Sequence, residues 1–259
     1  MKRNFFLMLL VMAVAWAAGP AGAAGEAKLS VTPQVVEIGA FYHRSVLTAT
    51  GEIPAAAQVV LRFIGQSREL HLKRKGRVLG VLWMNLDSVT IDGLPNVYLV
   101  YSNTGLEKPA ETEAAGSPAA ELGLEGLSRQ VQITPVPEDK DQVFHDLLAL
   151  KKRAHLFAER EDRISYQNIG GGQRFKADIE LPSSLPAGDY KLQAFVIEKG
   201  NITAQAERPV QVKMVGLPLM MSTLAFQHGA IFGVMASVIA VLGGLLISLL
   251  FKSGAKGGH

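Results

Sequence analysis

The sequence predicts a mainly β protein: an immunoglobulin-like β-sandwich with a helical insertion, followed by one C-terminal transmembrane helix. Three observations carry this. Short segments rich in β-branched residues recur at spacings of about 8–12 residues, as strands of a sandwich or barrel do. The stretch Leu185-Pro-Ala-Gly-Asp-Tyr190 joins two alternating segments and has the form of a sandwich corner. Near the C-terminus, no charged residue stands between Lys213 and Lys252.

The strand candidates begin with 29–32, Val46–Thr50 and Gln58–Ile64, each broken by Gly or Pro. Val78–Trp83, Ser88–Ile91 and Val97–Tyr101 continue the series. Phe175–Leu181 and Tyr190–Ile197 alternate apolar and polar residues, the mark of strands with one buried face. In the corner between them, Pro and Gly make the turn and the Tyr190 hydroxyl can bond back to the corner's backbone. Ile202–Glu207 and Val210–Met214 complete the sheet, so that strands from both ends of the domain close the sandwich.

The middle of the domain differs. Lys108–Pro118 is a polar, Ala/Glu/Pro/Gly-bearing link, and Ala119–Leu127 reads as a short helix. From Glu138 to Glu161 the periodicity predicts an amphipathic helix, with Val143, Leu147, Leu150, Ala154 and Phe157 on one face. Glu138, Asp139 and Asp141 favour the positive end of its dipole. Gly170–Gly172 reads as a linker returning the chain to strand.

The two ends address the chain to a membrane. Lys2 and Arg3, the apolar run Phe5–Ala15 and the small-residue site Ala21-Gly22-Ala23 have the three parts of a cleaved secretory signal. Ile231–Phe251 is apolar throughout and, at 1.5 Å per residue, spans about 31 Å, the thickness of a bilayer core. Along it and just before it, Gly229, Gly233 and Ser237 form one row of small residues; Ala236, Ala240, Gly244 and Ser248 form the adjacent row. Together they make a face along which a second helix can approach closely. The expected organisation is a signal at 1–24 and a sandwich domain at 25–214 with its insertion at about 119–162. A juxtamembrane segment at 215–230, the span at 231–251 and a tail at 252–259 follow. Export of the N-terminal part places the domain in a periplasm and the tail, with Lys252 and Lys256, in the cytoplasm.

Composition narrows the chemistry. The chain of 259 residues has no Cys, which excludes a disulfide scaffold, a thiolate zinc or iron–sulfur site and a Cys nucleophile. Its formal charge of +3 comes largely from the two ends. Without Lys2, Arg3, Lys252 and Lys256 the exported part is close to neutral, so nucleic acid is not an expected partner. The densest charge is Arg68-Glu-Leu-His-Leu-Lys-Arg-Lys-Gly-Arg77. Arg68, Lys73, Arg74, Lys75 and Arg77 are candidate contacts for an anion or acidic headgroups. The same residues suit better a solvated hairpin whose cations protect a sheet edge from mispairing. His43, His71, His145, His155, His228 and His259 show no metal-ligand spacing. There is no Ser elbow, metalloprotease motif or phosphate loop, so no catalytic, cofactor or metal site is expected. Trp83 reads as a core or near-core residue.

Two stretches go beyond generic patterning. Leu72-Lys-Arg-Lys-Gly-Arg-Val-Leu-Gly-Val-Leu-Trp-Met-Asn85 runs on through Ser88-Val-Thr-Ile to Leu94-Pro-Asn-Val-Tyr98. Val143–Lys151 leads through Phe175–Pro182 to Gly188-Asp-Tyr190. They resemble the alphaproteobacterial putative transmembrane protein family, whose pattern has a basic pair, a Trp-bearing strand, a Pro-aromatic turn and a C-terminal anchor. This chain departs from it by inserting Leu82 before Trp83 and by carrying a long Ala/Glu-rich link near Glu111–Ala120. The resemblance implies a single-pass inner-membrane protein, a non-enzymatic companion of a polytopic permease of the sulfite-exporter type. It transfers no catalytic residue. A tethered anion-binding or sensing module is the alternative, and self-association through the span is the alternative partner.

Overall fold

The computed structural model of the chain describes residues 25–26, 28–78, 81–103, 120–136 and 140–254. The signal at 1–24, the link at 108–118 and the end of the tail lie outside them. In chain order the strands begin with β1 (Gly25–Glu26), β2 (Lys28–Thr32), β3 (Val35–Ile38), β4 (Ser45–Ile53) and β5 (Gln58–Gly65). The hairpin β6 (Leu70–Val78) and β7 (Leu82–Asp92) follows, then β8 (Tyr98–Ser102). A 3₁₀ turn at Ala120–Leu122 leads to α1 (Leu127–Gln130), β9 (Gln132–Thr134) and α2 (Lys140–Arg153). The chain returns through β10 (Phe157–Glu161), β11 (Ile164–Ile169), β12 (Gly172–Leu181), β13 (Gly188–Glu198) and β14 (Asn201–Met214). Two helices end it, α3 (Leu217–Gln227) and α4 (Gly229–Gly254).

Two sheets form a β-sandwich. The larger runs β1-β14-β13-β5-β8-β10, with β3 also paired to β14; the smaller runs β11-β12-β4-β2. The expected closure by both ends of the domain is present: β3 lies parallel to β14, Val35 opposite Gln211. Alternation builds the core between the sheets. Val59, Leu61 and Phe63 of β5, Leu99 and Tyr101 of β8, and Leu192, Ala194 and Val196 of β13 meet Leu47, Phe175, Ile179 and Leu181 of the smaller sheet. Each such side chain contributes roughly 1.5–3 kcal/mol by leaving water. Two tyrosines tie the sheets: Tyr101 Oη accepts from the Glu180 amide at 3.1 Å, and Tyr166 Oη from the Val59 amide at 3.1 Å.

The opposite face of the larger sheet is also covered. Val60, Tyr98, Val100, Phe157 and Phe195 form a second core with Val89 and Ile91 of β7, Leu127 of α1, Ile133 of β9 and Leu147 of α2. This explains why β8 is apolar without alternation: every residue from Tyr98 to Ser102 is buried, as in strands covered on both faces. β6, β7 and β9 form a separate three-stranded sheet within this layer.

Several expectations are corrected. Val78–Trp83 is not one strand: Val78 ends β6, Leu82 and Trp83 begin β7, and Val78 pairs with Leu82. The helix expected over Glu138–Glu161 ends at Arg153, and Phe157–Glu161 is a strand parallel to β8. The physical reason is the helix terminus. His155 takes φ 57°, and the Leu156 amide donates to the Lys151 carbonyl, closing the helix and turning Phe157 into the sheet. Leu150 and Ala154 consequently lie exposed rather than on a buried face. The segments 202–207 and 210–214 are one strand, in which Pro209 takes a position opposite Lys191. Gly170 and Gly171 are the turn of a hairpin, β11 with β12, rather than a linker. The segment 215–230 contains a helix of its own, α3.

Candidate functional site

The basic segment forms β6, and its residues divide by strand alternation. Leu70 and Leu72 lean on the second core, while His71, Lys73 and Lys75 are exposed. Opposite them on β7 stand Thr90, Ser88 and Asn85, with an irregular step between Arg74 and Lys75. His71 Nδ1 lies 3.0 Å from Thr90 Oγ1, and its Nε2 lies 3.8 Å from Glu69. Arg74 sits opposite Asp87 in register; the side chains of Arg74, Arg77 and Trp83 are outside the described part. Lys73 and Lys75 therefore fan into solvent on an arm. Arg68 is set apart from them. Its amide donates to the Leu94 carbonyl at 3.2 Å, and its charge acts on the Tyr190 hydroxyl.

That hydroxyl belongs to a second feature, which the sequence did not single out. A groove of about 480 Å³ opens beside the ends of β5, β13 and β14, with Gln34, Gly65, Tyr190, Lys191 and Gln211 in its lining. Tyr190 Oη donates to the Pro186 carbonyl at 2.6 Å, the bond expected of the corner. Its ring stacks on Phe63, centroids 5.0 Å apart and planes 8° from parallel. Burial pushes the phenol up to about 12, against the opposing pull of Asn96 and Arg68. Gly65 has no room for a side chain, because a Cβ there would fall on Asn96 Oδ1 and within 2.8 Å of the Tyr190 ring. The rim is polar and internally paired: Gln211 Nε2 donates to Asp189 Oδ1 at 3.2 Å, and Lys191 meets Glu207 at 2.8 Å. No nucleophile with an adjacent base lies among these residues. Among the described residues, no three His, Asp or Glu side chains converge on a metal-sized centre.

The third feature is α4. Its apolar stretch Gly229–Phe251 is 23 residues long, with mean hydropathy 2.6, and no part of its most apolar window is buried within the chain. At about 100° per residue the small residues Gly229, Gly233, Ser237, Ala236, Ala240, Gly244 and Ser248 fall within an arc of about 120°. Nothing lies within 4 Å of a Cβ built on Gly229, Gly233 or Gly244, so the face is open. Ser237 satisfies its hydroxyl on the Gly233 carbonyl at 2.9 Å.

The family described as "Putative transmembrane protein" matches residues 26–253. The chain belongs to this family. The match runs from the first strand of the sandwich through the second core to the end of α4, so the resemblance read from the basic pair, the Pro-aromatic turn and the corner holds over the whole described chain. No curated protein matches it. The family and the apolar helix together make this a membrane protein.

The structure thus separates the candidates. The basic residues split between an arm and the Arg68 position, and the small residues form one continuous face on α4. Sequence reasoning missed the groove and α3. The groove had no linear signal, since its lining comes from four segments. Helix α3 did have one: the charge-free stretch begins at Met214, well before Ile231, and Gly216-Leu-Pro218 is a helix-start pattern.

Proposed function

We propose that this protein is a non-enzymatic accessory subunit of a polytopic membrane permease, of the sulfite-exporter type by family resemblance. It is made as an exported precursor, keeps its sandwich in the periplasm and its tail in the cytoplasm, and is anchored once in the inner membrane. The Pro186–Tyr190 corner supports an immunoglobulin-like reading of the sandwich.

One observation carries the proposal. β14 is sheet-paired to its last residue, Met214 opposite Ile38, and only Val215 and Gly216 separate it from α3. A binding domain that captures a diffusing ligand gains from a long tether. A domain joined by two residues to the helical segment that leads into its anchor instead presents one end of itself to a neighbour in the same membrane. The open small-residue face of α4 gives that neighbour a close-packing surface.

The test is purification of the full-length protein in mild detergent. A stoichiometric multi-span permease is the expected companion, and Gly233→Leu together with Gly244→Leu should release it. Undiminished recovery after α4 is exchanged for an unrelated span would remove helix packing from the proposal; purification as a homo-oligomer alone would replace the permease by self-association. A phosphatase fused after Lys252 should be inactive, as a cytoplasmic enzyme is.

The exposed Lys73 and Lys75 on the β6 arm favour a second reading, a tethered anion-binding module. Sulfate should then raise the melting temperature, and replacing Arg74, Lys75 and Arg77 by Gln together should abolish that rise while leaving the fold intact.

A further inference from the structure

We propose that α3 is embedded in the bilayer, so that the membrane unit of this chain is a bent helix pair starting at Gly216 rather than a single span starting near Gly229. The inference deepens the anchoring role above and rests on α4 crossing the membrane.

None of the residues of α3 is buried against the sandwich. Leu217, Leu219, Met220, Met221 and Phe226 are all exposed, Phe226 at 88%. At about 100° per residue Leu217, Met221 and Leu224 fall on one side while Leu219 and Phe226 fall on the other, so the helix is apolar all round. Helices that float on a membrane surface have a charged face and an apolar one. This one has no charge, and its polar residues Ser222, Thr223 and Gln227 spread over about 140° of the helix instead of forming a charged face. It belongs below the headgroups.

The occupant of its surface follows from continuity with α4. Only His228 separates the two helices. The His228 amide donates to the Leu224 carbonyl at 3.1 Å, and the Phe232 amide to the His228 carbonyl at 3.0 Å. Helical bonding thus runs through the junction, although His228 itself has φ −130° and ψ 48°. The junction is a bend rather than a linker. Length requires such a bend. The apolar part of α4 alone spans about 35 Å, already more than a hydrocarbon core of roughly 30 Å. The further 16 Å or so of α3 cannot also stand upright, so α3 lies across the leaflet on the sandwich side.

The boundary with water is equally sharp. The last sheet bond is from the Val215 amide to the Ile38 carbonyl, 2.9 Å. Gly216 follows at φ 66°, a conformation that only glycine adopts freely, and Pro218 occupies the first turn of α3. Gln211 on the groove rim is six residues from Leu217. The groove therefore opens within about 20 Å of the lipid.

The chain's lack of cysteine makes the test direct. Single substitutions Lys213→Cys, Met221→Cys, Phe226→Cys and Val238→Cys in the full-length protein would carry a nitroxide in nanodiscs of phosphatidylethanolamine and phosphatidylglycerol. Each label's accessibility to oxygen, which concentrates in lipid, is compared with that to a water-soluble nickel chelate. The expected result is a shift at 221 and 226 to the oxygen-favoured ratio found at 238, with 213 nickel-favoured. Nickel-favoured ratios at 221 and 226, with 238 still oxygen-favoured, would overturn the embedding of α3 while leaving the span intact. Exclusion of both reagents at 221 and 226 would overturn lipid as the occupant in favour of protein. A nickel-favoured 238 would remove the span and this inference with it.

Discussion

Tyr190 Oη donates to the Pro186 carbonyl across the corner at 2.6 Å while its ring lies flat on Phe63. The hydroxyl and the ring act on different parts of the fold. The hydrogen bond holds the turn that reverses the chain between the sheets; the stack fixes β13 against β5. Tyr190→Phe keeps the stack and leaves the Pro186 carbonyl without its Tyr190 partner. The expected loss is about 1 kcal/mol. Tyr190→Ala removes both and should cost about 3–5 kcal/mol. Denaturant unfolding of the full-length protein, followed by ectodomain fluorescence or circular dichroism, checks the difference.

Stability should fall on the alkaline side, for a reason with a definite sign. The Tyr190 phenol ionises at about 12 in the folded chain against 10.0 in the unfolded one. Between those values the unfolded chain has already released a proton that the folded chain retains, so rising pH favours unfolding. The contribution is intact below pH 10 and is lost as the pH climbs through 12. Burial raises Tyr98, Tyr101 and Tyr166 in the same direction, which steepens the fall. Melting temperatures recorded from pH 9 to 12 should decline less steeply in Tyr190→Phe; an unchanged slope would remove Tyr190 from the account.

The boundary of α2 makes a contrast between two leucines on one helix. Leu147 is 4% exposed in the second core, and Leu150 is 57% exposed. Leu147→Ala should destabilise by about 2–5 kcal/mol through the cavity it leaves. Leu150→Ala should stay within about 0.5 kcal/mol of the parent. Equal effects would restore the longer amphipathic helix read from the periodicity.

At Gly65 a single methyl should be enough to disturb the groove. A Cβ there meets Asn96 Oδ1 and the Tyr190 ring, and neither is a flexible chain end facing solvent. Gly65→Ala should cost about 1–3 kcal/mol, the range for overpacking. Its cost should shrink in an Asn96→Ala background, because the first atom it strikes is gone. A double-mutant cycle measures that coupling.

The C-terminal apolar helix and the corner were legible because their signals are local. Ile231–Phe251 needs no partner to show that it is apolar on every side, and Leu185–Tyr190 contains its own turn chemistry. The alternation of Phe175–Leu181 likewise states which face is buried. The family likeness rests on such contiguous stretches, and its match over residues 26–253 follows them. The middle was less legible. Val143, Leu147 and Phe157 fit one helical face on paper, yet the chain breaks at His155 and sends Phe157 into a parallel pairing with Tyr98, 59 positions earlier. A period of 3.6 cannot register a partner that distant.

The sequence by itself determined the β character of the domain, its corner, the apolar anchor and the freedom from cysteine chemistry. Only the tertiary structure decided that the larger sheet carries a core on both faces. It likewise decided that Lys73 and Lys75 stand exposed on the β6 arm while the Arg68 amide is tied to Leu94, and that a groove opens beside Tyr190. The physical reason is the range of the interactions. Turn chemistry, hydropathy and strand alternation act over a few residues and are written in order along the chain. Which strand pairs with which, and which faces of a sheet are covered, is set by packing between segments far apart in sequence.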